Sequence, residues 1–185
     1  MHNQSLTLGV VGTSNKENEF RLPIHPAHLP QLEPALRSRI FVEEGYGSKF
    51  GVDRAYLTEH VAGIMSREEL FARCDAILLP KPTEADFALF RDGQILWGWP
   101  HCVQGPAITQ VGIDKRMTFI AWEAMYTWKR GGVPELHTFY KNNELAGYCS
   151  VLHALQLKGA TGHYGPERRV AIISFGSTAR GAVYA

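Results

Sequence analysis

Six short apolar runs alternate with short helical stretches over the first two-thirds of the chain, and that alternation leaves few folds open. Ser5 to Val11 reads as a first strand, followed by the polar loop Gly12 to Glu19. Ser38 to Glu43, His60 to Met65, the very apolar Asp75 to Pro80, Gln94 to Trp97 and Met117 to Ala121 read as the others. Between them lie a helix over Ala27 to Leu36, entered at His25-Pro26, and one after Asp53 as N-cap, through about Glu59. Ser66-Arg-Glu-Glu69 has capping-box spacing and opens a helix to Ala72. Thr83 to Phe90 and Ala107 to Asp114 complete the set. Strands and helices of these lengths, alternating, imply an α/β fold: a parallel sheet with helices on both faces. Such sheets bind ligands beyond the carboxyl ends of their strands.

The pattern changes at Gly131-Gly-Val-Pro134. Asn143 to Leu157 then reads as a helix long enough to join two domains, Gly159 to Pro166 as a turn-rich linker, and Arg168 to Phe175 as a buried strand running into Gly176-Ser-Thr-Ala-Arg-Gly181. The expected organisation is a parallel-sheet, Rossmann-like substrate domain over residues 1–140, an interdomain helix and linker over 141–166, and the beginning of a Rossmann dinucleotide-binding domain over 167–185.

Charge narrows the partners. Nineteen Lys and Arg stand against eighteen Asp and Glu, so no strong field draws the chain to nucleic acid or an acidic membrane surface. No apolar run approaches a membrane span, and the start MHNQSLTLGVVG lacks a secretory h-region. Cys74, Cys102 and Cys149 form no CxxC pair, and their odd number fits a reducing cytoplasm better than a disulfide framework. Small, locally recognised molecules are the expected partners.

Several residues could carry chemistry. Gly176 and Gly181, five apart after a strand and opening a helix, fit a dinucleotide fingerprint: the first glycine makes the turn, the last allows close helix–strand packing, and the helix-start amides face a pyrophosphate. Thr178 occupies the middle glycine position, and a plain strand-to-helix turn accounts for the spacing equally well. Lys81 directly follows an apolar strand, where desolvation favours its neutral form, and His101 ends the next strand, so the two could form an acid–base pair. The residues alone fit a solvated loop lysine beside a structural histidine better. Arg21 could grip a carboxylate bidentately, but on its own is more simply a surface ion-pair partner of Glu17 or Glu19. Glu123, at a strand end, could tune a lysine or histidine, or serve as a structural acceptor. His25 and His28 lack a third ligand at a metal-binding offset, so no metal is expected. The tryptophans Trp97, Trp99, Trp122 and Trp128 are most simply core and pocket wall.

Taken in order, Lys16-Glu-Asn-Glu-Phe-Arg21, Val42-Glu-Glu-Gly-Tyr-Gly47, Leu79-Pro-Lys81-Pro, Arg91-Asp-Gly-Gln94 and Gly98-Trp-Pro-His101 resemble the amino-terminal region of the alanine dehydrogenase and pyridine nucleotide transhydrogenase family. The same order occurs in lysine-forming saccharopine dehydrogenase. The likeness is greatest to N5-(carboxyethyl)ornithine synthase and spans residues 7 to 185. The resemblance implies a two-domain enzyme whose substrate domain is assembled from both ends of the polypeptide around a central Rossmann domain. It also implies a homo-oligomer using NAD(H) or NADP(H). Arg21 and Glu123 would bind substrate, Lys81 and His101 would exchange protons, and Gly176, Ser177, Thr178, Arg180 and Gly181 would contact the cofactor. In the opine branch, a 2-oxo acid such as pyruvate condenses reductively with an amino acid's amine; alanine or saccharopine dehydrogenase activity is the alternative.

Two positions depart from the family. Pro82 stands where an acidic residue often follows the lysine, and Thr178 replaces a glycine. Family members are about twice as long, so the residues that would choose NAD from NADP are expected beyond Ala185, in the same or another chain. A non-catalytic binding module or a partner subunit of a split enzyme also remains open from the sequence.

Overall fold

The computed structural model describes residues 5–160 and 165–185. It divides into two compact units, Met1–Trp122 and Glu123–Ala185. In the first, six parallel strands run in the order β3-β2-β1-β4-β5-β6. They are β1 (Leu8–Val10), β2 (Ile40–Glu43), β3 (Gly63–Met65), β4 (Ala76–Leu78), β5 (Ile95–Gly98) and β6 (Thr118–Ala121). The order reverses between β1 and β4, and there the two halves of such a sheet open a crevice at the strands' carboxyl ends. The α/β, Rossmann-like class expected from the alternation is the class observed.

Side-chain alternation divides the sheet's two faces. Ile77 of β4 and Leu96 of β5 are fully buried in one core with Leu70, Phe71, Leu79, Phe90 and Ile108. Their neighbours Leu78 and Trp97 point the other way and, with Leu8, Ile40, Pro23 and Trp122, line an apolar cavity of about 440 Å³. The strands are shorter than the apolar runs predict; β1 covers Leu8–Val10 of the run Ser5 to Val11. Apolarity marks what is buried, whereas a ladder extends only as far as both neighbours supply hydrogen-bond partners.

The helices of this unit begin where capping chemistry predicts. Asp53 accepts from Tyr56 N at 2.8 Å and opens α2 (Arg54–His60). Ser66 and Glu69 form a reciprocal capping box at the start of α3 (Arg67–Arg73). The proline-rich stretch after β1 gives a 3-10 turn, Pro26–Gln31, and a short α1 (Pro34–Arg37), because the prolines lack the amides that a continuous helix needs. α4 (Glu84–Phe87) and α5 (Pro106–Asp114) follow β4 and β5. The Arg91-to-Gln94 motif has a structural task. Arg91 donates to the carbonyls of Phe71 and Cys74 at 2.9 and 2.7 Å, and Gln94 Nε2 donates to the same two oxygens at 2.8 Å each. Together they satisfy the otherwise unpaired carbonyl end of α3.

Beneath the crevice lies a charged cluster. The Arg67 guanidinium, at the start of α3, reaches Glu43 Oε1 at the end of β2 (3.2 Å) and Asp86 Oδ1 in α4 (2.6 Å). Asp86 is fully buried and Glu43 is 7% exposed. Glu43 Oε2 accepts the amides of Gly12 and Thr13 at 2.8 and 2.7 Å, and Asp86 accepts from Asn15 Nδ2 (2.9 Å) and Thr83 N (2.8 Å). One cation thereby ties together the loops that leave β1, β2 and β4.

In the second unit, β7 (Tyr126–Trp128) and β8 (Pro134–His137) form an antiparallel hairpin. The sequence pattern registers only its turn, where Gly131 and Gly132 take φ values of 98° and 79°. Tyr126 and Trp128 are exposed on both sides, so no alternation marks the strands. α6 (Tyr140–Leu157) contains the predicted helix, and α7 (Ser177–Tyr184) starts after Gly176 as expected. The buried strand expected over Arg168 to Phe175 is not formed: these residues have no ladder partner among the described residues, and Ile173 and Phe175 are almost fully exposed. A strand is stable only when its backbone groups and one apolar face are both covered. Part of the expected linker, residues 161–164, lies outside the described residues. No helix among the described residues is long and apolar enough to cross a membrane.

Removing the central cation strands two buried carboxylates, which costs about 3–5 kcal/mol. Arg67→Ala is therefore expected to lower the urea-unfolding free energy, followed by tryptophan fluorescence, by that amount. A loss of less than about 1 kcal/mol, the scale of an exposed pair, would show that the cluster is not a buried tie.

Candidate functional site

The chain brings its candidate residues together through the backbone of β4 and β5. Beyond the ladder, Leu79 N donates to Trp97 O and Trp99 N to Pro80 O, both at 3.0 Å, so the two strand ends stay zipped. Gly98 makes this possible: a Cβ there would lie 2.0 Å from the Leu79 carbonyl oxygen. Lys81 and the segment Trp99–His101 therefore emerge side by side.

His101 then turns back with φ of 50°, a conformation that a non-glycine residue seldom adopts, and its carbonyl accepts from Gln104 N and Gly105 N at 2.9 and 2.8 Å. The turn sets its imidazole against the lysine, with Lys81 Nζ and His101 Nε2 2.6 Å apart. With Lys81 as an ammonium, which can only donate, Nε2 is the acceptor and the ring proton belongs on Nδ1; with Lys81 neutral, the roles reverse if Nε2 carries the proton. Both groups are half-buried. The pair can hold a proton between two nitrogens and pass it to a third group.

Arg21 completes the cluster. Its guanidinium lies over the Trp99 ring, 4.7 Å from the centroid, and Lys81 Nζ is 5.3 Å from the same ring. Trp99 is fixed edge-on against Trp122, with centroids 4.4 Å apart. Glu19 holds the guanidinium from the other side, accepting from Nε at 2.7 Å and from Nη2 at 2.5 Å. That bidentate bond is the main reason the Glu19 carboxyl is pulled below the ordinary glutamate range, with the positive charge of Lys81 adding a smaller share. Ser14 Oγ donates to the Lys81 carbonyl at 3.4 Å, joining the loop after β1 to the same point.

The geometry thus brings Arg21, Lys81 and His101 together around Trp99, beyond the ends of β4 and β5. Of the two ion-pair partners considered for Arg21, the one found is Glu19. Trp99, expected as core or wall, is the platform between two cations. Glu43, Arg67 and Asp86 carry no sequence signal beyond the spacing of Thr83 and Asp86, because a buried ion pair distant in sequence has no periodicity. His25 does local work as well, capping the 3-10 turn by accepting from Ala27 N at 3.2 Å. Among the described residues no group of three or more His, Cys, Asp or Glu could hold a metal ion.

Glu123 opens the second unit, half-buried in the 3-10 turn Trp122–Ala124 after β6. The glycine turn is also in that unit. Gly176 is the N-cap of α7, with no side-chain capping bond at this helix start. Arg180 pairs with Glu144 at 3.3 Å and donates to Ser177 Oγ at 3.2 Å. Gly181 packs differently from expectation: a Cβ there would lie 1.7 Å from Glu144 O, and one on Gly147 would lie 1.9 Å from Thr178 O. Its close approach is to α6 and not to a strand.

The family model described as "Alanine dehydrogenase/PNT, N-terminal domain" matches residues 10–141. The N(5)-(carboxyethyl)ornithine synthase of Lactococcus lactis subsp. lactis (strain IL1403) is 30% identical over 191 residues, covering 96% of this chain and 58% of that protein. The alanine dehydrogenase of Methanococcus maripaludis is 29% identical over 138 residues, covering 74% of this chain and 36% of that protein. Among solved structures, an L-alanine dehydrogenase has the same fold, with a TM-score of 0.68 at 21% identity, over 85% of this chain and 43% of that one. The chain thus spans less than two-thirds of each of these relatives.

The Glu19–Arg21 bond makes a pH dependence. A carboxyl whose folded value is depressed contributes its stabilisation above the unfolded glutamate value and loses it as pH falls through the lower, folded one. Carboxyl-carbon NMR is expected to find the Glu19 midpoint below those of exposed glutamates, and Arg21→Ala to bring it back among them. A wild-type midpoint within the exposed group would contradict the pairing.

Proposed function

The chain belongs to the alanine dehydrogenase/PNT family, and from that premise we propose that it forms the substrate-binding part of a nicotinamide-dependent oxidoreductase acting on amino acids and 2-oxo acids. Within that class our reading is the opine type: a 2-oxo acid such as pyruvate condenses with the amine of an amino acid and the product is reduced. The observation that carries it is the 2.6 Å contact of Lys81 with His101, beside the Arg21 guanidinium, at the carboxyl end of a parallel sheet. Residues 1–140 act as the substrate domain, 141–166 as the connector and 167–185 as the start of the dinucleotide-binding domain.

The roles follow from the chemistry of each group. Arg21, whose Nε and Nη2 are held by Glu19 over Trp99, would pair its positive charge with the carboxylate of the 2-oxo acid. That anchoring sets the neighbouring carbonyl against Lys81. Condensation joins the amine nitrogen to the carbonyl carbon and expels the carbonyl oxygen as water. Lys81 supplies a proton to that oxygen and His101 takes one from the attacking amine; the nitrogen's second proton then returns to Lys81 while the one held by His101 goes to the hydroxyl, which leaves as water. The resulting imine is then reduced to a secondary amine, consuming one hydride and one proton. A bound NADH or NADPH would supply the hydride. Gly176, Ser177, Thr178, Arg180 and Gly181 would hold its pyrophosphate, and Glu123 would contribute to substrate binding. Three cysteines kept as free thiols suit a reducing, cytoplasmic setting.

Pyruvate binding to the chain, followed by NMR, tests the anchoring. Arg21→Ala is expected to weaken it by about tenfold or more, because a charge-assisted pair is lost. In a protein carrying this domain with a complete nucleotide half, Lys81→Met or His101→Ala is expected to slow turnover by about a hundredfold or more, the scale of a general acid or base. Unchanged turnover in both variants would remove the pair from the reaction.

A further inference from the structure

The Lys81–His101 pair is suited to a reaction that needs neither an amine nor a hydride. Its two nitrogens are 2.6 Å apart. In a 2-oxo acid such as pyruvate, the carbonyl oxygen and the hydrogens next to it sit on adjoining carbons. Two nitrogens this close can therefore reach both at once, one meeting the oxygen and the other the C–H bond beside it. A lone acid or a lone base could do only half of that.

The two members differ in the way such a reaction requires. With Lys81 as an ammonium, the histidine has a lone pair at Nε2 and its proton on Nδ1. Its backbone turn, with φ of 50°, is pinned by the two amides that donate to its carbonyl, so the imidazole is the fixed member. The ammonium stands on a flexible stem and has three donors, so it is the member that can turn.

The surroundings favour the charge that develops. When a proton leaves the carbon, the electron pair it leaves behind moves towards the carbonyl oxygen. Arg21 and Lys81 share the Trp99 platform, 4.7 and 5.3 Å from the ring centroid, and two cations near that oxygen stabilise an enolate. Arg21, Lys81, Trp99 and His101 all belong to the first unit, Met1–Trp122, whereas the glycine turn at Gly176 belongs to the second.

We propose that this chain by itself enolises 2-oxo acids that carry a hydrogen on the carbon next to the carbonyl, and so exchanges that hydrogen with water without any nucleotide. The inference rests on the proposed pairing of Arg21 with the 2-oxo acid's carboxylate. Lys81 turns one N–H from Nε2 to the carbonyl oxygen, and His101 Nε2 takes the proton from carbon. The C–H electron pair becomes the C=C bond of the enol, while the carbonyl π pair takes up the Lys81 proton. The proton on Nε2 then crosses the 2.6 Å contact to the neutral lysine, and the half-buried ammonium exchanges its protons with water. Return along the same path places a hydrogen from water on carbon. Nothing is oxidised or reduced.

The test is ¹H NMR of pyruvate in deuterium oxide with the chain and no nucleotide, following loss of the methyl signal. Exchange is expected to be about a hundredfold faster or more than with free imidazole at the same concentration. Arg21→Ala, Lys81→Met and His101→Ala should each return it to the imidazole level. Added imidazole should restore part of it in His101→Ala and none in Lys81→Met, a difference that a merely structural role of the histidine would not produce. Pyruvate should also move the Trp99 indole and His101 signals of the wild-type chain. If those signals move while exchange stays at the imidazole level, or if fast exchange survives in all three variants, enolisation is refuted and the functional reading stands. If pyruvate moves neither signal, the functional reading fails and enolisation falls with it.

Discussion

The crevice at β1 and β4 depends on one guanidinium. Arg67 sits where three loops must meet, and its bonds to Glu43 and Asp86 convert three separate strand ends into one rigid floor. Such a cluster is a poor source of net stability, since desolvating three charges offsets most of what their attraction returns. Its value is positional. Glu43 fixes the amides of Gly12 and Thr13, Asp86 fixes Asn15 and Thr83, and the loops so held carry Ser14, Glu19 and Lys81. An apolar floor would bury the same area but would not orient the loops, because dispersion forces have no direction.

A second constraint works above that floor. Gly98 allows the backbones of β4 and β5 to touch, and His101 takes a left-handed turn immediately afterwards. Non-glycine residues in that region carry a strain of about 1–3 kcal/mol, which the carbonyl's two hydrogen bonds help to offset. The histidine is thereby held against Lys81 by the fold itself. In the reaction proposed above, preorganisation of this kind would spare the two groups a search through conformations at the moment of proton transfer.

Local chemistry was readable in the sequence where one residue acts on its near neighbours. The caps at Asp53 and Ser66 and the apolar strand before Lys81 illustrate this, because each signal spans only a few positions. The convergence of Arg21, Lys81 and His101 needed more: the residues alone favoured the plainer explanation, and the order of motifs along the chain tipped the balance. What stayed hidden acts over distance. Arg67, Glu43 and Asp86 are far apart in the chain, and the role of Trp99 emerges only once β4 and β5 lie side by side. The segment Arg168 to Phe175 shows the converse error, for its apolar residues predict a strand that pairing alone can create and that no described residue pairs with. The β7–β8 hairpin was missed because neither face is buried, which removes the alternation that marks a strand.

In the second unit, Gly147 and Gly181 let α6 and α7 meet backbone to backbone. Helix separations are usually set by side-chain size and drift as sequences diverge, since a larger residue on one helix can be matched by a smaller one on the other. Here neither partner has anything left to surrender. The spacing of the two helices, and with it the placement of the turn at Gly176 relative to α6, is insulated from that exchange. Neighbouring positions are free to vary, while these two can change only by forcing the helices apart.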